Sequence, residues 1–324
     1  MSASSLRSRD TLIALVAILF LGWFVMKFHM DTANDSETQA YVGSLIASAT
    51  HATVSTDATG HYAALAPYVM WPFTANLQLV TAAYLIRGLV FALLTLGVAL
   101  FALAYLWWRR LSLNHVTCLV GLVVLSTSTA FAMQVRGWEI DKLLEPILFL
   151  LAALAASHRN WLAFVAIGAL AAANRETGIF LPFAAILGAR TVRGFVRLPA
   201  FWLSLLVCVV EVVWFRHLVP PPTVTAWADL SPERLVYVAG GLCLVPILAI
   251  ASWPALTPSQ RWLLYVIVPM WIAGLLAADR LEQGALLLAP LALVWLPATL
   301  LGADHLLRAQ QRSVQAPEAP VAPR

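Results

Sequence analysis

Apolar runs of about 20 residues, the length that crosses the roughly 30 Å hydrocarbon core of a bilayer as a helix, recur along the whole of this chain. A chain that repeats such runs must satisfy its backbone polar groups inside helices, because hydrocarbon offers them no partner. Cutting at the charged or Pro/Gly-containing interruptions predicts about ten segments: 11–29, 80–107, 113–132, 141–157, 161–173, 177–189, 198–217, 235–253, 261–278 and 284–302. The fifth and sixth are too short to cross separately without tilt or local thinning. Composition points the same way: 61% of residues are hydrophobic and 11% charged, with mean hydropathy +0.82, whereas a soluble domain carries about 25% charged residues. A water-soluble domain and a disordered chain are both excluded. Three cysteines, Cys118, Cys208 and Cys243, all lie in apolar runs; they are too few for a disulfide scaffold and read as small packing residues. The expected fold is an all-α polytopic transmembrane bundle of about ten helices, with one interfacial helix in its first outer loop.

Arg7 and Arg9 precede the first run, whose apolar stretch is too long for a signal-peptide core and is followed by no small-residue cleavage site. It reads as an uncleaved first helix with residues 1–10 in the cytoplasm. Successive crossings of the membrane domain 11–303 then put Arg109/Arg110, Arg159, Arg190/Arg193/Arg197, Arg261 and Arg308/Arg312 on the cytoplasmic side, as the positive-inside rule requires. Both termini face the cytoplasm, and residues 304–324, ending in QAPEAPVAPR, read as a disordered tail. The net charge of +4 is thus spread over short loops that orient the chain. Nucleic-acid binding is excluded as a partner class. Of the sixteen acidic residues only Asp10, Asp304 and Glu318 fall on the cytoplasmic side. That rule rests on Lys and Arg, so the acidic asymmetry is a separate observation, and it directs attention to the outer face.

Three polar stretches there can carry chemistry. The first outer loop, about residues 30–78, is the one long hydrophilic segment and opens with MDTANDSETQAYVGSL. Asp31, Asp35 and Glu37 stand just past the first helix, and the run that follows has the spacing of a helix lying on the membrane surface, with Tyr41, Leu45 and Ile46 on one side. These carboxylates read either as the cap and first turn of that helix or as a catalytic base at the bilayer surface. The second stretch, RGWEIDKLLEP, leads into the fourth segment. In a helix Arg136 and Glu139 share one face, as do Asp141 and Glu145. Glu145 enters the membrane, where a carboxylate needs a partner, and Lys142 is the local candidate. An ion-paired helix start and a site for a cation or polar substrate both fit. The third stretch, AAANRETGIFLP, sets Asn174, Arg175, Glu176 and Thr177 inside an apolar run of about 30 residues, at a depth where charges must face protein or water. It predicts two short helices meeting at a polar break. Arg175 suits a phosphate, with its planar fork of donors; a purely structural Arg175–Glu176 network is the alternative. Arg87, Glu211, Arg216, His217, Asp279, Arg280 and Glu282 are weaker signals. No zinc spacing, phosphate loop or hydrolase serine motif occurs.

This layout resembles the GT-C superfamily of integral-membrane glycosyltransferases. The likeness lies in a first helix followed by an acidic outer loop (Asp31, Asp35, Glu37, Tyr41), an acidic motif entering an apolar helix (Asp141, Lys142, Glu145, Pro146), and a short helix pair broken by a basic residue (Asn174–Thr177). It covers about residues 11–190. The family's first-loop signature is an Asp-Glu pair shortly before a Tyr, and here Ser36 separates Asp35 from Glu37. The resemblance implies transfer of a sugar from a polyprenyl-phosphate donor to an acceptor, of unknown identity, on the extracytoplasmic face of a bacterial inner membrane, as part of cell-envelope synthesis. Such transfer needs a base and stabilisation of the leaving phosphate. It implies Asp35 as base, Asp31 in reserve and Glu37 in support, with Arg175 on the donor phosphate, Arg136 or Arg87 assisting, and Asn174, Glu176, Asp141 and Glu145 in the binding region. A divalent cation, Mg²⁺ or Mn²⁺, at Asp35, Asp141 and Glu145 fits hard-cation chemistry, and the metal requirement stays open. The competing readings are a transporter or flippase for a lipid-linked or anionic solute and a noncatalytic envelope-assembly subunit.

Overall fold

The computed structural model describes residues 3–32, 64–74, 82–133, 140–189, 191–218, 245–265 and 288–315. Every element among the described residues is helical. In chain order they are α1 (Ala3–Thr32), α2 (Ala66–Thr74), α3 (Ala82–Arg110), α4 (His115–Met133), α5 (Ile140–Ser157) and α6 (Trp161–Asn174). A 3₁₀ segment (Glu176–Ala185) then runs into α7 (Ile186–Ala189), α8 (Val192–Val196), α9 (Pro199–Leu218) and α10 (Val245–Ala251). Residues 258–265 form α11. Finally α12 starts at Leu288–Pro290, widens into a π turn over Leu291–Trp295 and continues as Leu296–Gln315. Among the described residues, four stretches are long and apolar enough to cross a membrane: Arg9–Lys27, Arg87–Arg110, Pro199–Leu218 and Leu288–Leu306. α1 and α9 leave whole apolar faces uncovered, Leu12, Leu15, Leu19 and Trp23 on one and Leu206, Val210, Val213 and Trp214 on the other, as helices that border lipid do.

α5 is the centre of the bundle and is buried along nearly its whole length. α3, α6 and the 3₁₀ segment pack against it. Its acidic first turn, with Asp141, complements the helix dipole. Close approach elsewhere depends on glycine at particular points. A Cβ on Gly22 of α1 would lie 2.7 Å from Val98 of α3, and one on Gly178 would lie 2.3–2.4 Å from the backbone of Ala171 and Ala172 in α6.

The short sixth segment gains length from 3₁₀ winding, whereas the fifth stays a 14-residue α-helix. Tight winding rises about 2.0 Å per residue against 1.5 Å in an α-helix. The ten 3₁₀ residues plus the four of α7 therefore reach about 26 Å, where an α-helix as long as α6, 14 residues, reaches about 21 Å. The π turn in α12 is explained by Pro297, which has no N–H to donate to the carbonyl of Leu293 four residues back. Two buried tryptophans of α3 supply donors: the indole N–H of Trp107 donates to Leu293 O (3.0 Å) and that of Trp108 to Ala292 O (2.9 Å).

Helix ends gather at two poles. At one, α3 and α5 each stop with a Schellman turn: Leu113 N–H donates to Trp108 O and Ser112 N–H to Arg109 O, while Asn160 N–H donates to Ala155 O and Arg159 N–H to Ala156 O. The left-handed residues are Ser112 (φ 67°) and Arg159 (φ 58°), where glycine is usual. Asn160 then caps α6, its side chain accepting from Ala163 N–H. Asn114 donates to Asp304 (2.9 Å), which also pairs with Arg308. This arginine-rich pole encloses an open cleft of about 470 Å³ between the ends of α3 and α5, Leu187, the start of α11 and Leu301.

Two boundaries differ from the sequence reading. α1 continues through Thr32, so Asp31 sits in its last turn instead of beyond it. α12 stays helical to Gln315, so residues 304–315 are not part of an irregular tail; the Asp304–Arg308 pair, one turn apart, supports that extension. The surface helix expected near Tyr41 lies outside the described residues, whereas α2, in the same loop, is a short helix whose Ala66 is fully buried against the core.

Candidate functional site

The opposite pole collects the polar residues that the sequence scatters. Asp141, Lys142 and Glu145 occupy the first two turns of α5, and Asn174 and Arg175 end α6; each is between 1% and 3% exposed. Charges this deep in an apolar bundle persist only with partners. Arg175 Nε lies 3.6 Å from Asp141 Oδ2. Asn174 Nδ2 donates to the backbone carbonyl of Asp141 (3.1 Å). The Thr177 hydroxyl donates to Glu145 Oε1. Thus an ion pair from Arg175 and hydrogen bonds from Asn174 and Thr177 join the break after α6 to α5.

The break itself is made by Arg175. Its backbone is extended (φ −156°, ψ 158°), its N–H still donates to Ala171 O to finish α6, and its carbonyl accepts from Gly178 N–H to start the 3₁₀ segment. The chain can fold back this tightly because residue 178 is glycine, pressed against the backbone of Ala171 and Ala172. The two adjacent charges consequently point to different helices. Arg175 pairs inward with α5, and Glu176, about one-fifth exposed, pairs with Arg216 at the end of α9. Both charges thus join helices, as the structural alternative of an Arg175–Glu176 network also requires.

A buried core of Asp141, Lys142, Glu145, Asn174 and Arg175 therefore lies beside a partly exposed rim of Glu176, Thr177 and Arg216. The end of the first loop reaches the same place, since Ala64 N–H donates to Ala173 O (3.2 Å), next to Asn174. The core is not fully satisfied: neither carboxylate oxygen of Asp141 accepts a hydrogen bond, and Asn174 Oδ1 has no donor, among the described residues. Buried polar atoms in that state are rare.

Sequence reasoning brought Asp141, Glu145, Asn174, Arg175 and Glu176 forward, and the fold brings them together. Arg87 is exposed on α3, toward the end of that helix that lies at this pole. Asp31 ends α1. Asp35, Glu37 and Arg136 lie outside the described residues. Lys142 is the sequence's candidate partner for Glu145; a partner that the fold brings to it is the Thr177 hydroxyl, from the 3₁₀ segment. Arg216 is a minor signal in the sequence, although counting crossings puts the end of α9 at this pole. Among the described residues no three His, Cys, Asp or Glu side chains converge to hold a metal ion. Asp141 and Glu145 contribute two carboxylates, already engaged by Arg175 and Thr177.

These features define a membrane protein whose described elements are all helical, with a charged, partly unsatisfied cluster at one pole. Comparison with protein-family models, with curated proteins and with solved structures finds no match for this chain.

Proposed function

We propose that this chain is an integral-membrane glycosyltransferase of the GT-C type, moving a sugar from a polyprenyl-phosphate donor to an acceptor at the pole that carries the Asp141–Arg175 pair. The observation that carries the reading is that pair: two residues from separate sequence motifs, both about 98% buried, set at a helix break beside incompletely satisfied oxygens. A buried, pre-positioned guanidinium is suited to charge that develops on a leaving phosphate. Asp141 orients Arg175 through Nε, and Asn174 ties the break to α5. Arg175 holds the donor phosphate, with Arg136 or Arg87 assisting. Asp35 is the base for the acceptor hydroxyl, with Asp31 in reserve and Glu37 in support. The apolar helix faces accommodate the prenyl chain.

The arginine residues at the other pole, Arg109, Arg110, Arg159, Arg193 and Arg197, support an orientation in which that pole and both termini are cytoplasmic, so the cluster faces the extracytoplasmic side of the bacterial inner membrane. One observation favours a second reading, transport of a lipid-linked or anionic solute: the 470 Å³ cleft gives the opposite pole a polar opening as well. The stretch of α5 between the two poles carries buried Phe149, Leu150, Ala152 and Ala153, which favours the enzyme.

The test compares donor binding with turnover for full-length chain in lipid, using a polyprenyl-phosphate sugar. Arg175→Lys weakens donor binding, because a point charge replaces a bidentate fork. Asp35→Asn retains binding and loses turnover. Equal effects of both variants on binding and turnover contradict the assigned roles, and movement of donor across the bilayer without release of polyprenyl phosphate selects transport.

A further inference from the structure

The cleft at the arginine-rich pole has its own chemistry and plays no part in the proposed transfer. Its polar lining is Arg110, Ser112, Ser157, Thr257, Ser259 and Gln260, with no carboxylate among them. Its floor is apolar and includes Trp107, Leu111 and Leu301. At about 470 Å³ it falls within the usual size of small-ligand sites, roughly 300–1,000 Å³.

Three features define what fits. Arg110 is exposed, ends the apolar span Arg87–Arg110, and makes no ion pair among the described residues. α11 starts in the cleft with a capping box: Thr257 Oγ1 accepts from Gln260 N–H (3.4 Å) and Gln260 Oε1 accepts from Thr257 N–H (2.8 Å). Pro258 has no N–H, so the Ser259 amide is the donor of this first turn that the box leaves over, at the positive end of the helix. Ser112 also lines the cleft, in the left-handed conformation that favours glycine (φ 67°). A hydroxyl is thus held there at a backbone cost.

We propose that this cleft binds the phosphate of an anionic phospholipid headgroup. Arg110 and the Ser259 amide meet the phosphate, the serine and threonine hydroxyls meet the headgroup's polar atoms, and the acyl chains leave along the apolar floor. A soluble phosphate shares the anion chemistry but leaves that floor unused, and the position at the end of a membrane span selects the lipid.

The test uses full-length chain in nanodiscs of phosphatidylcholine titrated with dioleoyl phosphatidylglycerol, with retained lipid counted by native mass spectrometry. Arg110→Gln is expected to weaken phosphatidylglycerol retention about tenfold or more, and Arg110→Glu further, as loss of a charge-assisted contact dictates. Arg197→Gln, at the same pole but outside the cleft, is expected to stay within about twofold, since generic surface attraction is weak and screened. Equal losses in Arg110→Gln and Arg197→Gln overturn the site. So does retention no greater for phosphatidylglycerol than for phosphatidylcholine. Competition by millimolar inorganic phosphate that abolishes retention assigns the cleft to a soluble anion and overturns the lipid proposal. None of these outcomes bears on sugar transfer at the other pole.

Discussion

Breaking the Asp141–Arg175 pair is expected to unfold the polar pole before any other part of the bundle. At 3.6 Å and an effective dielectric near 20, two unit charges attract by about 4–5 kcal/mol. That gross figure is opposed by the desolvation already suffered by both groups, each 2% exposed, so the pair's net worth is smaller. Removing one partner is different, because it strands a buried charge, at a cost of about 3–5 kcal/mol. Asp141→Asn and Arg175→Gln should each destabilise by that order. The double variant should lose clearly less than the sum, with a coupling of about 1.5–3 kcal/mol, the upper part of the range for groups in direct contact. The assay is a double-mutant cycle in mixed bicelles, with folded fraction followed through an SDS titration by far-UV circular dichroism. A coupling within about 0.5 kcal/mol of zero, the level of independent sites, would falsify the buried pair as the link between α5 and the break after α6.

Other perturbations have equally definite signs. Gly178→Ala forces a Cβ to within 2.3–2.4 Å of backbone atoms of α6, which no side-chain rotation relieves; a loss of at least about 2–3 kcal/mol is expected, read in the same titration, and wild-type stability would refute the close approach. Trp108→Phe removes the donor to Ala292 O within the π turn and should cost about 1–3 kcal/mol for a buried unsatisfied carbonyl, with Trp107→Phe similar; no change would mean that the turn finds its donors elsewhere. Ser112→Gly relieves the positive φ of 67° and should stabilise by up to about 1 kcal/mol, with phosphatidylglycerol retention reduced in parallel; destabilisation would contradict the strain.

Much of the fold was legible because lipid allows few arrangements. The polar residues 174–177, two of them charged, within an apolar stretch had to mark a break, and the break is there, with Arg175 extended between two helices. Asp141 and Glu145, one turn apart, could be placed on one face of a helix start, where both are buried. What stayed hidden depends on contacts between distant segments. Nothing in ETGIFLPFAA announces 3₁₀ winding, which follows from Gly178 packing onto α6 and from the length that the segment must span. The widened turn of α12 needs Pro297 and two tryptophans about 190 residues away in sequence to be read together, as the separation of Trp107 from Leu293 shows. The pairing of Arg216 with Glu176 is visible only once the crossings are counted. Ser112 and Arg159 end their helices in a conformation that usually advertises itself by glycine, so the Schellman turns left no sequence mark.

The central claim is that the ion-paired pole serves transfer of a sugar from a lipid phosphate, and it is tested most directly by turnover. Purified full-length chain in proteoliposomes is given a panel of polyprenyl-phosphate sugars, and released polyprenyl phosphate is quantified over time. The expected result is release with at least one donor, dependent on added acceptor extract and lost in a folded Arg175→Lys variant. Tight donor binding with no release by the wild type, or release unchanged by Arg175→Lys, would contradict it.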